Sequence, residues 1–159
     1  MDLELKNREW KAFVFSSFFK ITTTSSSIDR NKLINKKGVT PYITRSDNDN
    51  GYDSFICEQA SQYEKDANNV ITIGLDTQTV FYQPHDFYTG QNIQILANKN
   101  LNQSIALFLI PLIKIQMTKF SWGGNGATLT RLKRSKIVLP VNAEGQPDYA
   151  FMEAYIYPS

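Results

Sequence analysis

The chain has 159 residues, of which 42% are hydrophobic and 13% aromatic, and its 17 basic and 15 acidic residues leave a net charge of +2. This length and composition predict one folded domain with a sizeable core and exclude an intrinsically disordered chain. Cys57 is the only cysteine and His85 the only histidine, which excludes an intrachain disulfide and a cysteine-rich zinc site. Residues 1–6 are too polar for a secretory signal and the apolar run 105–113 is too short for a membrane span, so we expect a cytoplasmic protein.

The first third of the chain predicts short elements separated by polar loops. We expect residues 1–8 to fray and a strand to follow at Trp10–Phe15. The hydroxyl-rich run Thr22–Ser27 predicts a loop whose last residue caps a helix over Ile28–Asn35.

Runs of β-branched and aromatic residues predict six further strands. Pro41 has no backbone N–H, so it places its strand at a sheet edge or at a strand start. The period-two alternation of residues 92–96 predicts a half-buried strand. The predicted strands are Val39–Thr44, Ser54–Cys57, Val70–Gly74, Thr79–Tyr82, Asn92–Leu96 and Ile137–Leu139.

A polar loop follows the Pro41 strand and contains the turn signal Asn50-Gly51. Arg45, Asn48 and Asn50 carry donors that can reach base edges of a nucleic acid. The acidic residues of the same loop invite comparison with a calcium loop. Such a loop needs glycine where Tyr52 stands, so we expect no bound metal.

Two longer helices are predicted in the second half. The helix Ser104–Phe120 is apolar nearly all round at its start, and its second half is expected to expose Lys114 and Gln116 while burying Ile115 and Met117. After Pro147, a last short helix is expected from Asp148 to about Ile156. With the tail, residues 147–159 form the predicted C-terminal helix and end of a single domain spanning residues 1–159.

Between these helices lies a segment that combines glycine with positive charge. Gly123–Gly126 predicts a sharp turn, and Thr128 is placed to cap a basic helix over Leu129–Ser135. Residues 87–143 contain no acidic residue and seven cations, so a +7 segment and a −5 remainder make up the net charge of +2. This asymmetry makes a nucleic-acid partner plausible. The seven cations are Lys99, Lys114, Lys119, Arg131, Lys133, Arg134 and Lys136.

Several segments, taken in their order and spacing, resemble one known family. They are Glu9–Lys11, Gly38–Ile43 leading to Asn48–Gly51, Asn69–Gly74 leading to Val80–Gln83, Lys136–Val141, and Gly145–Glu153. Together they are similar to the target-recognition domain of restriction–modification specificity (S) subunits of Type I and Type IIB (BcgI-like) systems. The resemblance covers almost the whole chain.

The resemblance implies an α/β (mixed α+β) domain with a curved, mostly antiparallel or mixed β-sheet and a few helices, which recognises double-stranded DNA. It implies no enzymatic activity and no cofactor in this chain. Adenine methylation would come from a partner methyltransferase carrying S-adenosylmethionine, and cleavage from a restriction subunit. Full-length S subunits carry two recognition domains joined by long helices, so the chain would be a half-subunit, a dissected domain, or one that pairs with another copy.

The DNA-binding hypothesis divides the candidate residues into two groups. Phosphate contacts are expected from Lys114, Lys119, Arg131, Lys133 and Arg134. Base-edge contacts are expected from Arg45, Asn48, Asn50, Trp122 and Asn125.

Two other classes of function stay open at this point. One is a protein–protein interaction module that uses exposed aromatic residues. The other is a small hydrolase with an unrecognised carboxylate site, although the sequence contains no P-loop and no dinucleotide-binding glycine pattern.

Overall fold

The structure of the chain, a computed structural model, describes residues 1–119 and 125–158, with the backbone alone for residues 125–128. Its strands are β1 (Trp10–Val14), β2 (Lys20–Thr23), β3 (Lys37–Ile43), β4 (Tyr52–Ile56), β5 (Val70–Gly74), β6 (Thr79–Gln83), β7 (Tyr88–Thr89), β8 (Ile93–Ala97) and β9 (Lys136–Pro140). Its α-helices are α1 (Phe15–Phe18), α2 (Gln103–Met117), α3 (Asn125–Arg134) and α4 (Tyr149–Ile156), and single 3₁₀ turns span Leu5–Asn7, Arg30–Lys32 and Asp49–Gly51.

The strands form three small sheets. β1 pairs with β9, the order β2–β8–β5–β6 makes an antiparallel four-stranded sheet, and β4–β3–β7 makes a mixed one in which β3 and β7 are parallel. The predicted α/β class with antiparallel and mixed pairing is therefore confirmed. β6 is an edge strand of the four-stranded sheet.

The main core lies where α1, α2 and α4 meet the four-stranded sheet and β9. Phe15, Ile71, Leu96, Leu109 and Phe151 are all fully buried there. Burying such a side chain stabilises the fold by about 1.5–3 kcal/mol relative to leaving it exposed. Two smaller apolar clusters lie beside the main core. One joins β3, β5 and β8 around Phe87, and the other joins Ile28 to β3, β4 and β7.

The long helix is confirmed, with different bounds and a different phase in its second half. Asn102 caps it by accepting a hydrogen bond from the Ile105 backbone N–H at 2.9 Å. Ile115 is 54% exposed and Gln116 only 8% exposed, so the predicted orientation of these two residues was wrong. The buried face continues from Ile113 through the next turn, and that phase places Gln116 and Met117 inside whatever their polarity.

Two strand predictions were wrong in their environment. β3 is the central strand of its sheet, yet Pro41 is tolerated because β7 pairs only with Tyr42 and Ile43. β8 is not half-buried, since Ile93, Gln94, Ile95 and Leu96 are all buried, and the Thr23 hydroxyl bonds to Gln94 Oε1 at 3.1 Å.

The helix predicted for Ile28–Asn35 is absent. Asp29 accepts a hydrogen bond from Asn31 N and caps only the 3₁₀ turn Arg30–Lys32. Residues before it are held by the buried carboxylate of Asp66, which accepts from the Thr24 hydroxyl at 2.5 Å. At the first residue of the predicted helix, the Ile28 N–H donates to the Thr89 carbonyl at 2.8 Å and the Ile28 carbonyl accepts from the Tyr42 hydroxyl at 2.9 Å. Both backbone groups therefore bond to distant residues and not along a helix.

The basic helix begins earlier than predicted. α3 starts at Asn125, so Gly126 lies inside a helix and not in a turn. Glycine in a helix costs about 1 kcal/mol relative to alanine, and packing of the apolar side of α3 offsets it. Residues 120–124, which include Trp122 and two of the predicted turn glycines, lie outside the described residues.

The C-terminal helix is confirmed as α4. Asp148 is its cap and accepts from the Phe151 backbone N–H at 3.0 Å, and Pro147 precedes the helix. Near the other end of the chain, Arg8 forms an ion pair with Asp148, and Trp10 Nε1 donates to the Leu5 carbonyl. The expected fraying of residues 1–8 stays a prediction.

Candidate nucleic-acid interface

The polar loop between β3 and β4, residues 44–51, is closed by its own backbone. Thr44 N donates to the Gly51 carbonyl and Gly51 N donates to the Asn48 carbonyl, both at 2.9 Å. Asp49, Asn50 and Gly51 have φ of 51°, 59° and 79°. A side chain at Gly51 would approach Ile43 and Phe81 at 3.3 Å in this left-handed conformation, so glycine is required there. We call residues 44–51 the polar loop.

The polar loop is fastened to the edge strand β6 by two side-chain amides. Asn50 Nδ2 donates to the Tyr82 carbonyl at 2.9 Å. Gln83 Nε2 donates to the Asn50 carbonyl at 3.3 Å and to Thr72 Oγ1 at 3.0 Å. Gln83 is only 1% exposed. The bond to the Tyr82 carbonyl pairs a backbone group at the open edge of β6, and together these bonds fix the position of the loop relative to the sheet.

The turn between β5 and β6, residues 75–78, joins the polar loop to the end of α2. Asp76 in this turn forms an ion pair with Arg45. Gln78 Nε2 reaches the Met117 carbonyl, in the last turn of α2, at 3.5 Å. Arg45 at the start of the loop and the C-terminal end of α2 therefore lie on two sides of the same turn.

A cleft of about 390 Å³ runs between β6 and α2 on this side of the molecule. Asn50 and Tyr82 line one wall, and Leu107 and Lys114 line the other. Burial raises the pKa of Tyr82, and its hydroxyl donates to Asn69 Oδ1 at 2.7 Å. The cleft places a predicted base-reading residue, Asn50, beside a predicted phosphate-contacting one, Lys114.

α3 is an amphipathic helix that turns its basic side outward. Leu132 is fully buried in the main core, Leu129 packs partly buried against it, and the helix lies against α1. Arg131 and Arg134 are exposed, and Lys133 is half-buried. Cations in the last turn also stabilise the helix, because they lie near the negative end of its dipole.

The five predicted phosphate-contacting cations are not engaged in ion pairs within the described residues. The salt bridges there join Arg8 to Asp148, Arg30 to Asp53, Arg45 to Asp76, and Lys65 to Glu58. Lys114, Lys119, Arg131 and Arg134 are exposed. Their charge is therefore available to a polyanion without first breaking an internal pair.

The structure thus gathers part of the predicted site. Arg45, Asn48 and Asn50 share the polar loop, and Lys114 and Lys119 lie at the nearby end of α2. Arg131, Lys133 and Arg134 sit on a separate support, α3, whose first residue is Asn125. Trp122 falls outside the described residues. The roles of all ten as DNA contacts stay predictions.

Sequence reasoning missed the residues that hold the site together. Gln83 is a polar residue directly after the apolar run Val80–Tyr82, and that position is the one signal that the sequence offered. Asp76 and Gln78 looked like ordinary turn residues. Their partners lie 31 and 39 positions away in the chain, and no local pattern contains such pairings.

Neither a metal-binding cluster nor a membrane-spanning helix is found in the part of the chain that the structure describes. Residues 1–119 and 125–158 contain no group of three or more His, Cys, Asp or Glu side chains arranged to hold a metal ion. In the same residues, no helix has both the length and the apolar character needed to cross a membrane.

Comparison with known proteins decides the family. Residues 7–158 match the family described as the Type I restriction modification DNA specificity domain. The chain belongs to this family. The predicted resemblance to the specificity subunits of restriction–modification systems is confirmed.

Relatives of this specificity domain agree with that result. It is 33% identical over 149 residues to the specificity subunit S.BcgI of a Type II restriction enzyme from Heyndrickxia coagulans, a match that covers 93% of the domain and 43% of that subunit. The S subunit of a Type I restriction–modification system from M. genitalium superposes with a TM-score of 0.63 at 14% identity, covering 91% of the domain and 37% of that chain. The HsdS subunit from Thermoanaerobacter tengcongensis gives a TM-score of 0.61 at 14% identity, covering 92% and 36%. The two solved structures show the shared fold, and the chain spans less than half the length of each of these proteins.

Proposed function

We propose that the chain recognises a specific sequence in double-stranded DNA, as the specificity subunit or half-subunit of a restriction–modification system. The observation that carries the proposal is the combination of cations that form no ion pair among the described residues with a fastened polar loop, in a member of the DNA specificity domain family. The cations supply affinity, and the loop supplies sequence preference.

Phosphate contact is the first part of the mechanism. Lys114 and Lys119 at the end of α2, and Arg131, Lys133 and Arg134 on α3, neutralise backbone phosphates and release counterions. Each phosphate contact makes the negative slope of log affinity against log salt steeper by about 0.9 for duplex DNA. Such contacts position the domain and carry little sequence information.

Base reading is the second part. Asn48 is exposed at the tip of the polar loop, and asparagine pairs with adenine in the major groove. Arg45 favours guanine, and its ion pair with Asp76 sets the direction in which it leaves the loop. Asn50 donates through its Nδ2 to the Tyr82 carbonyl, and we propose that its Oδ1 accepts from a base amino group.

The chain would act within a larger assembly. A partner adenine methyltransferase, which binds S-adenosylmethionine, and a restriction subunit would perform the chemistry at the DNA that this chain selects, so we propose no catalytic role for the chain. A second recognition domain or a second copy of this chain would read the other half of the target. We propose the cytoplasm as the location, because that is where such subunits meet DNA.

The test is duplex binding by the 159-residue chain. A randomised 30-base-pair duplex (a length of our choosing, about three helical turns) is titrated by fluorescence anisotropy across a salt series, and the bound fraction is sequenced over several rounds of selection. We expect affinity that falls steeply with salt and an enriched motif of a few base pairs.

Each outcome separates one part of the proposal from another. Salt-sensitive binding without an enriched motif would keep the phosphate contacts and contradict sequence recognition by the chain alone. Absence of binding at low salt would contradict both parts and favour a protein–protein module. Cleavage or hydrolysis that depends on a metal ion and survives neutralisation of α3 would contradict the non-catalytic role.

A further inference from the structure

Gln83 lies beside the proposed interface, and its polar side chain is almost fully buried. Neither apolar packing nor a DNA contact accounts for an amide at this position. Gln83 stands at the end of β6 and is 1% exposed. A buried amide needs its hydrogen bonds, because leaving a buried donor unpaired costs about 1–3 kcal/mol. Both partners of its Nε2 are identified: Thr72 Oγ1 in the neighbouring strand β5 and the Asn50 carbonyl in the polar loop.

We propose that Gln83 is a positioning residue for sequence readout, which fastens the polar loop to the four-stranded sheet so that Asn48 meets the DNA in one orientation. The proposal rests on the proposed function. Gln83 itself does not contact DNA, since it is buried, and it acts only through the Asn50 backbone.

The hydrogen bonds form a closed path. Thr72 Oγ1 accepts from Gln83 and lies within 3.4 Å of the Phe81 carbonyl, so β5 and β6 jointly orient the Gln83 amide. Gln83 then donates to the Asn50 carbonyl, and the Asn50 side chain returns a hydrogen bond to the Tyr82 carbonyl. The loop is thereby held to β6 at two points, one through its backbone and one through its side chain.

The hydrogen bonds to Gln83 and Tyr82 help to hold a loop conformation that has a cost in free energy. Asp49 and Asn50 both have positive φ, which non-glycine residues adopt at some cost in free energy. A loop released from Gln83 would sample other conformations, and Asn48, two residues before Asn50, would lose its fixed position. Base reading depends on that position, whereas phosphate contact by α2 and α3 does not.

The chain offers a matched control in Gln59. It is also buried, at 9% exposure, and its amide holds a different segment through Ile34 N at 2.9 Å and the Ile34 and Cys57 carbonyls at 3.1 Å. Replacing either glutamine by methionine keeps the volume and removes the amide. A loss of DNA sequence preference that comes from general destabilisation alone will appear in both variants.

The experiment compares the wild-type chain with Gln83→Met and Gln59→Met. Each is titrated with the duplex enriched by the wild-type chain and with a scrambled duplex, and hydrogen exchange is followed at the Thr44 amide, which bonds to Gly51. For Gln83→Met we expect the ratio of the two affinities to fall about tenfold or more, the worth of a good base contact, with faster exchange at Thr44. Scrambled-duplex affinity and salt slope should match wild type, and Gln59→Met should keep the wild-type ratio.

Three results would overturn the proposal. One is an unchanged affinity ratio in a Gln83→Met chain whose Thr44 amide has lost protection. Another is an equal fall in the ratio for Gln59→Met. The third is a Thr44 amide that exchanges in the wild-type chain as fast as an unprotected amide, a result that needs no variant to fold.

A second variant covers the case in which Gln83→Met does not fold. Thr72→Val keeps the shape of the side chain and removes one acceptor of Gln83, and it should lower the affinity ratio in the same direction by a smaller factor. An unchanged ratio would count against the proposal. Failure of the wild-type chain to enrich any duplex is a distinct result, because it contradicts the proposed function itself and the readout role with it.

Discussion

The two segments proposed to contact DNA, α3 and the polar loop, are held to the rest of the domain by different kinds of interaction. α3 is held by apolar packing through Leu132 and presents Arg131 and Arg134 on long, exposed side chains. The polar loop is held by hydrogen bonds to Gln83 and Tyr82, and it presents Asn48 on a short side chain. Attraction between charges tolerates a change of position of an ångström or more, whereas a base-edge hydrogen bond does not. The hydrogen-bonded loop is therefore suited to base contacts, and the apolar-packed helix with long basic side chains is suited to phosphate contacts.

Removing the apolar anchor of α3 should have the largest effect on stability. Leu132→Ala leaves a cavity at a fully buried position, and we expect it to lower the free energy of unfolding by about 2–5 kcal/mol, measured by urea denaturation. The matched control is Leu107→Ala, at a leucine that is 45% exposed, which should cost much less. Equal losses for the two variants would contradict the packing role of α3.

Removing charge from α3 should weaken binding to every duplex alike. The double variant Arg131→Ala/Arg134→Ala is expected to reduce the salt slope of log affinity by about 2 if both residues contact phosphates. The measurement is anisotropy on scrambled and enriched duplexes. Lys6→Ala/Lys32→Ala removes the same charge at exposed sites elsewhere and should leave the slope nearly unchanged. A loss confined to the enriched duplex would assign these arginines to base reading instead.

Truncating the Asn48 side chain should change the preferred DNA sequence without changing the affinity for scrambled duplexes. Asn48→Ala is expected to relax one position of the enriched motif by about 1–3 kcal/mol, measured by competition with single-base-pair variants of the duplex. Asn35→Ala, at another exposed asparagine, serves as control and should leave the motif intact. Uniform weakening on all duplexes would show that Asn48 contributes only to general affinity.

The smallest effects on stability are expected at the ion pair that joins the loop to the β5–β6 turn. Arg45 and Asp76 are both partly exposed, at 39% and 33%, so their pair contributes about 0–1 kcal/mol to stability. Their effects on scrambled-duplex affinity should be opposite in sign. Arg45→Ala removes a positive charge and weakens binding, and Asp76→Ala removes a negative one and strengthens it. Changes of the same sign would place this pair away from the DNA.

Local patterns were sufficient where one property dominated the element. β5 has the predicted bounds, Val70–Gly74, because a short run of β-branched residues between polar turns has little alternative to a buried strand. The last helix, predicted from Asp148 to about Ile156, also forms, and Asp148 caps it through a neighbour three positions away. Such contacts are visible in the sequence because both partners lie within one helical turn.

Prediction failed where a distant partner decided the outcome. The predicted Ile28–Asn35 helix does not form, because Ile28 bonds to Thr89 and Tyr42 instead. The predicted turn Gly123–Gly126 is wrong at its second half, because α3 begins at Asn125. Gln116 is buried because the phase of α2 is set by its neighbours on the helix, not by its own polarity. The fastening of the polar loop by Gln83 belongs to this class too, since that contact spans 33 positions of the chain.

The most direct test of the account is an NMR titration of the ¹⁵N-labelled chain with its enriched duplex. The account predicts that amide shifts will change together at residues 44–51, at 114–119 and at 129–136, and that added salt will reverse the changes in the two basic segments first. Shift changes confined to one basic segment would leave the loop without a role in recognition. Changes confined to surfaces outside all three segments would contradict the account.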